Sequence, residues 1–290
     1  MTRTVYRERI PHSDPRLRRH ILHDSESWRY PFDTTGITIA SVEHERILPI
    51  LNQRKIGKCT AEAALGILGT APYWSADLMS AYAKVFGSAD DNGTNQFYSA
   101  EEQLDGHGSF PPVDDGSSGL TSAKVARTAG LISGWTQTFT LDDFLKALQK
   151  YPISCGTYWY NSMFTCPSSG ILDVTSGSGI AGGHQYEAVG YDSTTGLIWF
   201  DQSWGTWGLD GRFAIPDVTF GALLARKGDA TIFTPVTQPA PVPTPTPVVP
   251  TAADVKLNAE LGGWPDAYHL GTSNARVAHL LQTWRTESGF

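Results

Sequence analysis

Cysteine is scarce in this 290-residue chain: three residues, at 59, 155 and 166, so one thiol stays unpaired whatever the other two do. That excludes a disulfide-built scaffold. No apolar run approaches the ~18 residues needed to span a bilayer. Met1 is followed by Arg3, Arg7 and Arg9 instead of an apolar core of the kind a secretory leader needs. The expectation is a soluble protein without a signal peptide, cytoplasmic or virion-associated, its location otherwise open. Positive charge is also in deficit, 22 basic against 29 acidic side chains, so no general attraction to nucleic acid or to an anionic membrane surface is expected. Six arginines among the first twenty residues are a local exception, read as a solvated arm or a docking contact. No metal cluster, phosphate loop or dinucleotide motif is present, and neither metal nor cofactor is expected. Asp90-Asp91-Asn92-Gly93 lacks the glutamate that closes an EF-hand loop and reads as a turn.

What remains is globular: 40% hydrophobic and 18% charged residues, enough for two lobes and an appendage. Residues 1–44 form a polar arm broken by Pro11, Pro15 and Pro31. From Cys59, Ala61, Ala64, Leu65 and Leu68 recur at helical spacing, placing Cys59 at a helix N-terminus. Residues 72–118 combine a short helix at 76–85 with loop-forming clusters, and helical spacing returns at 120–129 and 141–148. The period then turns to strands at 153–158, 184–191, 197–203, 212–215 and 230–233, with Asp192 to Gly196 as a hairpin loop. A helical half carrying the thiol precedes a β-rich half. Between Pro235 and Thr251, seven of seventeen residues are proline, an extended spacer that ends the domain spanning 45–234. In residues 252–290, Leu257, Leu261 and Trp264 and then Val277, Leu280, Leu281 and Trp284 suggest a small helical module, too short to stand alone and expected to dock on a protein or cell-wall partner.

Three distant segments carry the chemistry: Gln53 to Cys59, Gly182-Gly183-His184, and Asp201-Gln202-Ser203-Trp204-Gly205. A thiol at a helix N-terminus has its anion favoured by the helix dipole, and Lys58 adds a positive neighbour. A histidine and a carboxamide complete the parts of nucleophilic acyl transfer. Cys155, in a strand-like run, reads as a plain buried thiol, with pairing to Cys166 as the alternative.

Asn52-Gln53 before the thiol, Gly57 two residues ahead of it, Gly-Gly-His followed by Ala188-Val189-Gly190-Tyr191-Asp192, and Ser203-Trp204-Gly205-Thr206-Trp207-Gly208 followed by Gly211-Arg212-Phe213 occur in the order of the papain-like cysteine peptidases, which residues 45–234 resemble. Cys59-Thr60-Ala61 is similar to bacterial and viral members. The resemblance implies an α+β, two-lobed fold with a helical and a β-rich lobe. It implies Cys59 as nucleophile, His184 as general base and acid, Gln53 as oxyanion-hole donor and Gln202 as the group orienting the histidine, where the family has asparagine. Gly57, Ser117, Ser118, Gly183 and Trp204 would line the substrate cleft, Trp204 shielding the histidine's hydrogen bond. Ile56 replaces a half-cystine, so packing would hold that loop. The 58 residues before Cys59 lack the long charged helix of an inhibitory propeptide, which implies no zymogen of that design. Three readings follow: an endopeptidase acting on extended polypeptide through an acyl-enzyme, a hydrolase of peptidoglycan cross-links, or a weakly active structural component of a larger, virion-like assembly.

Overall fold

The structure, a computed structural model, describes residues 5–236. The proline-rich segment beyond Val236 and the module expected at 252–290 lie outside the described residues.

Two cores form, one per lobe. The first is built around helix α1 (Cys59–Leu68), whose ten residues are all buried. A helix apolar on every side belongs at the centre of a domain, and α1 packs against α3 (Gly93–Leu104) and α4 (Gly119–Thr128) on one side and against the sheet on the other. Helix α2 (Ala76–Phe86), started by a Ser75 side chain that accepts from the Leu78 amide, adds Tyr82 and Phe86 to this core. The second core lies beneath an antiparallel sheet that runs β4 (Gly134–Gln137), β9 (Asp229–Thr234), β5 (Ile153–Tyr160), β6 (Ile180–Asp192), β7 (Leu197–Asp201), β8 (Arg212–Pro216), with β3 (Val42–Glu43) added beside β6. Phe144 of α5 (Leu141–Leu148) meets Phe220 of α6 (Asp217–Ala225) across this core, with ring centroids 4.8 Å apart.

The 120–129 and 141–148 helices and the five strands stand within a few residues of their expected bounds. The β6–β7 hairpin closes at Gly196, whose φ of +69° accounts for the glycine there. Two helices were unforeseen. Asp90 does make a turn, but that turn opens α3: its Oδ1 accepts from the amides of Asn92 (2.8 Å) and Gly93 (3.2 Å). Helix α3 escaped hydrophobic patterning because its buried face carries Thr94, Ser99, Glu101 and Glu102, and α6 because it is apolar around most of its circumference.

The lobes meet where α1 crosses β6. A Cβ on Gly66 would lie 1.9 Å from a carboxylate oxygen of Glu187, which is buried and paired with Arg46. Alanine in a helix interior normally gains about 0.5–1 kcal/mol over glycine. Here the sign reverses: Gly66→Ala is expected to destabilise by about 1–3 kcal/mol through overpacking, read as a lower midpoint in chemical denaturation, and a gain would show that Glu187 moves freely.

Candidate active site

Cys59 opens α1, and the backbone amides of Gln185, the residue after His184, and of Thr60 favour its anion. His184 stands on β6 opposite Thr157 of β5. Its Nε2 meets the Gln202 carboxamide oxygen at 3.1 Å, while Nδ1 is buried without a hydrogen-bond partner. Aromatic rings wall the imidazole: Trp204 at 4.8 Å, Trp159 at 5.2 Å and Tyr186 at 6.0 Å between centroids. Asp201, next to Gln202, turns instead to Arg46 and Arg212, since successive strand residues face opposite ways.

Gln53 is fixed by four contacts. Its Oε1 accepts from the Ser203 hydroxyl (2.7 Å) and from the Trp204 indole N–H (3.1 Å). The amide nitrogen is thereby aimed the other way, donating to the carbonyls of Ile56 (2.7 Å) and Arg16 (3.1 Å). Lys58 does not face the thiol. Its buried ammonium pairs with Glu62 at 2.7 Å and bonds Asp91 and Thr94, so Lys58 does not serve as the positive neighbour expected beside Cys59; Arg19 of the arm is the cation that favours the thiol's anion.

The arm supplies the unforeseen part of the site. Strands β1 (Val5–Arg9) and β2 (His20–Asp24) pair with each other, and the chain between them runs through the cleft. The Ser13 amide donates to Ala181 O (2.8 Å), Arg19 to Gly183 O (3.1 Å) and His20 to Ser117 O (2.6 Å). Arg16 lays its guanidinium 4.1 Å from the Trp204 ring centroid and pairs with Asp14 at 2.7 Å. A Cβ on Gly57 would fall 2.5 Å from the Arg18 side chain, so this glycine permits close approach of the arm; freedom of φ is not its use here. Gly183, Ser117 and Trp204 thus touch the arm, whereas the Ser118 side chain caps α4 by accepting from Thr121 N. No long helix precedes Cys59 among the described residues, yet the segment covers the cleft all the same. Of its described arginines, Arg19 is 0% exposed, Arg18 pairs with Asp114, and the exposed Arg7 and Arg9 pair with Asp105 and Asp115. Charge count alone does not separate a solvated arm from this one.

Burial sets the protonation states. Burial pushes the Cys59 thiol up to about 12, overcoming the two amides that favour its anion, and pushes His184 down to about 3 despite the Gln202 bond. The pair therefore rests as neutral thiol and neutral imidazole. Cys155 is buried, Cys166 half-buried, and both are free thiols, as is Cys59; Ile56 packs against the helical core. Glu102, His107 and Asp115 bring ligand atoms within 4.8 Å of one another, but Glu102 is engaged by the amides of Asp115 and Gly116 and by His107. Among the described residues no helix is long and apolar enough to cross a membrane.

No family model matches this sequence. No curated protein matches it either. Solved structures do. Xylellain, a cysteine protease from Xylella fastidiosa, matches at TM-score 0.56 and 17% identity, over 81% of this chain and 100% of that one. Procathepsin B S9 from Trypanosoma congolense matches at TM-score 0.50 and 14% identity, over 73% of this chain and 84% of that one. The fold is papain-like.

Burial also governs the arm's response to acid. His23 on β2 is buried among Tyr6, Trp28, Arg19, Asp229 and Lys227, and desolvation lowers it from 6.5 to about 4. The unfolded chain takes up this proton below about 6.5 and the folded chain does not, so stability is lost as pH falls from about 6.5 toward 4. Buried Glu101 and Glu187, shifted upward, act oppositely, so the difference between variants is the useful measure. His23→Gln should lose less Tm than the parent between pH 7 and 4.5, and an equal loss would place the sensitivity elsewhere.

Proposed function

We propose that the chain is a cysteine peptidase that hydrolyses peptide bonds in extended polypeptide, held in a covered state by its own arm. The observation that supports this reading is a histidine bonded through Nε2 to Gln202 with Nδ1 free, beside a Gln53 carboxamide whose oxygen is held by Ser203 and Trp204, in a papain-like fold whose α1 opens on a thiol. In this reading the His184 imidazole takes the Cys59 proton once the arm withdraws and water and substrate reach the pair. The thiolate attacks the scissile carbonyl, and the Gln53 amide, now occupied by the Arg16 carbonyl, donates to the developing oxyanion. The imidazolium returns its proton to the leaving amine, and water then hydrolyses the acyl-enzyme. Gln202 holds the ring in the orientation that keeps Nδ1 free. Nothing in the cleft favours a cell-wall substrate over polypeptide, and the complete set of acyl-transfer groups argues against a merely structural role. Residues 252–290 are assigned in this reading to docking on a partner.

The test is digestion of an unfolded polypeptide and of purified peptidoglycan by full-length Arg19→Ala, in which the arm has lost its buried anchor. Polypeptide should be cut, and Cys59→Ala and His184→Ala should each abolish cutting without additive loss in the double variant. Hydrolysis surviving Cys59→Ala would overturn the mechanism, and cleavage of peptidoglycan alone would overturn the substrate class. Gln53→Ala should lower kcat about 10²–10³-fold. Gln202→Asn should keep turnover that Gln202→Ala loses, and the reverse order would show that a different group orients the ring.

A further inference from the structure

One side chain of the arm enters the body of the protein. Arg19 is 0% exposed; its Nε donates to Asp229 Oδ2 at 3.1 Å, and its Nη2 to the same oxygen and to the Lys227 carbonyl at 3.0 Å. Asp229 opens β9 and is itself 7% exposed, with Oδ1 3.3 Å from the Gln185 side-chain nitrogen. The socket is walled by glycine. A Cβ on Gly156 would lie 2.1 Å from Arg19 Nε, and one on Gly119 2.9 Å from Asp229 Oδ1. It adjoins His184, because Gln185, whose side chain reaches Asp229, follows that histidine on β6 and the Arg19 amide bonds the carbonyl of Gly183, the residue before it.

We propose that this socket, with Asp229 at its base, is a specificity site selecting a basic side chain, arginine above all, in the polypeptide that replaces the arm. The inference rests on the peptidase reading for its catalytic consequence, but the socket's preference for a guanidinium stands on the geometry alone. A chain that uses the same Gly183 and Ser117 carbonyls as the arm presents a side chain to the same opening. Once Arg19 leaves, Asp229 keeps the Gln185 side-chain amide as its hydrogen-bond neighbour and loses its cation, a costly state for a recessed carboxylate unless the incoming group is cationic. A planar guanidinium fits better than an ammonium, since the site offers one carboxylate oxygen and one carbonyl to adjacent N–H groups. The hold of the arm is incomplete, as Arg19 Nη1 is buried without a partner, and exchange for another arginine costs no new desolvation.

The test uses full-length Arg19→Ala, which empties the socket and removes the arm's buried anchor. Two readouts separate the socket from the chemistry. First, binding of an arginine amide, blocked at its amine, to Arg19→Ala is followed calorimetrically, with norleucine amide and glutamate amide as controls. Binding of the arginine compound alone is expected, lost in Arg19→Ala/Asp229→Ala. Second, peptides in which one arginine, norleucine or glutamate is walked through a neutral sequence are digested and the products identified. Arginine at one position should raise kcat/KM about tenfold or more over norleucine, and that preference should vanish with Asp229→Ala. Selective binding without any hydrolysis would leave the socket standing and overturn the peptidase reading. Cleavage indifferent to arginine, or equal binding of all three amides, would overturn the socket. If Arg19→Ala does not fold, Arg19→Gln, which keeps most of the volume without the charge, is read by the same outcomes.

Discussion

Everything in the cleft depends on one length of backbone being hydrogen-bonded to both lobes at once. Between Ser13 and His20 the arm donates to Ala181 and Gly183 on β6 and to Ser117 ahead of α4, and its one fully buried cation is neutralised by Asp229. Glycines at 57, 116, 182 and 183 let it lie that close, since a Cβ at any of them would strike Leu17, Arg18 or Arg19. The cleft is therefore shaped to receive main chain, and the arm is what it holds.

That occupancy explains an apparent conflict in the thiol's surroundings. A helix N-terminus and two amides favour the thiolate of Cys59, yet desolvation wins and keeps it protonated, with His184 neutral beside the aromatic rings. Both shifts have the same cause, burial, which in the proposed reading the withdrawal of the arm relieves. In that reading the covered site is inert for lack of water around the charges it must form. Its groups are already arranged: Gln53 is pinned by Ser203 and Trp204, and Gln202 is set against Nε2.

Much of this was legible in the sequence. The start of α1 at Cys59 follows from apolar spacing, the β6–β7 turn from its Asp-Ser-Thr-Thr-Gly loop, and the two-lobed papain-like fold from the order of the motifs around Cys59, His184 and Trp204. Patterning failed where polar groups are buried and satisfied, as in α3, whose Glu101 receives the Thr60 and Ser122 hydroxyls inside the core. Lys58 misled for the same reason: adjacency in sequence to Cys59 says nothing of a side chain that folds back onto Glu62 one helical turn later. The arm was the largest gap. Arginines at 7, 9, 18 and 19 look like solvated charge until their carboxylate partners, on distant segments, are seen. Asp229, ordinary at the head of a strand, carries no local signal at all.

The central claim is that Cys59 is a nucleophile kept neutral by the arm, and its alkylation rate tests this most directly. Full-length protein and Arg19→Ala are treated with iodoacetamide at pH 6 and the labelled peptides mapped. The account predicts that Cys59 is unreactive in the parent chain and becomes the fastest-labelled cysteine in Arg19→Ala, ahead of half-buried Cys166. Equal, slow labelling of Cys59 in both proteins, with Cys166 leading, would contradict it.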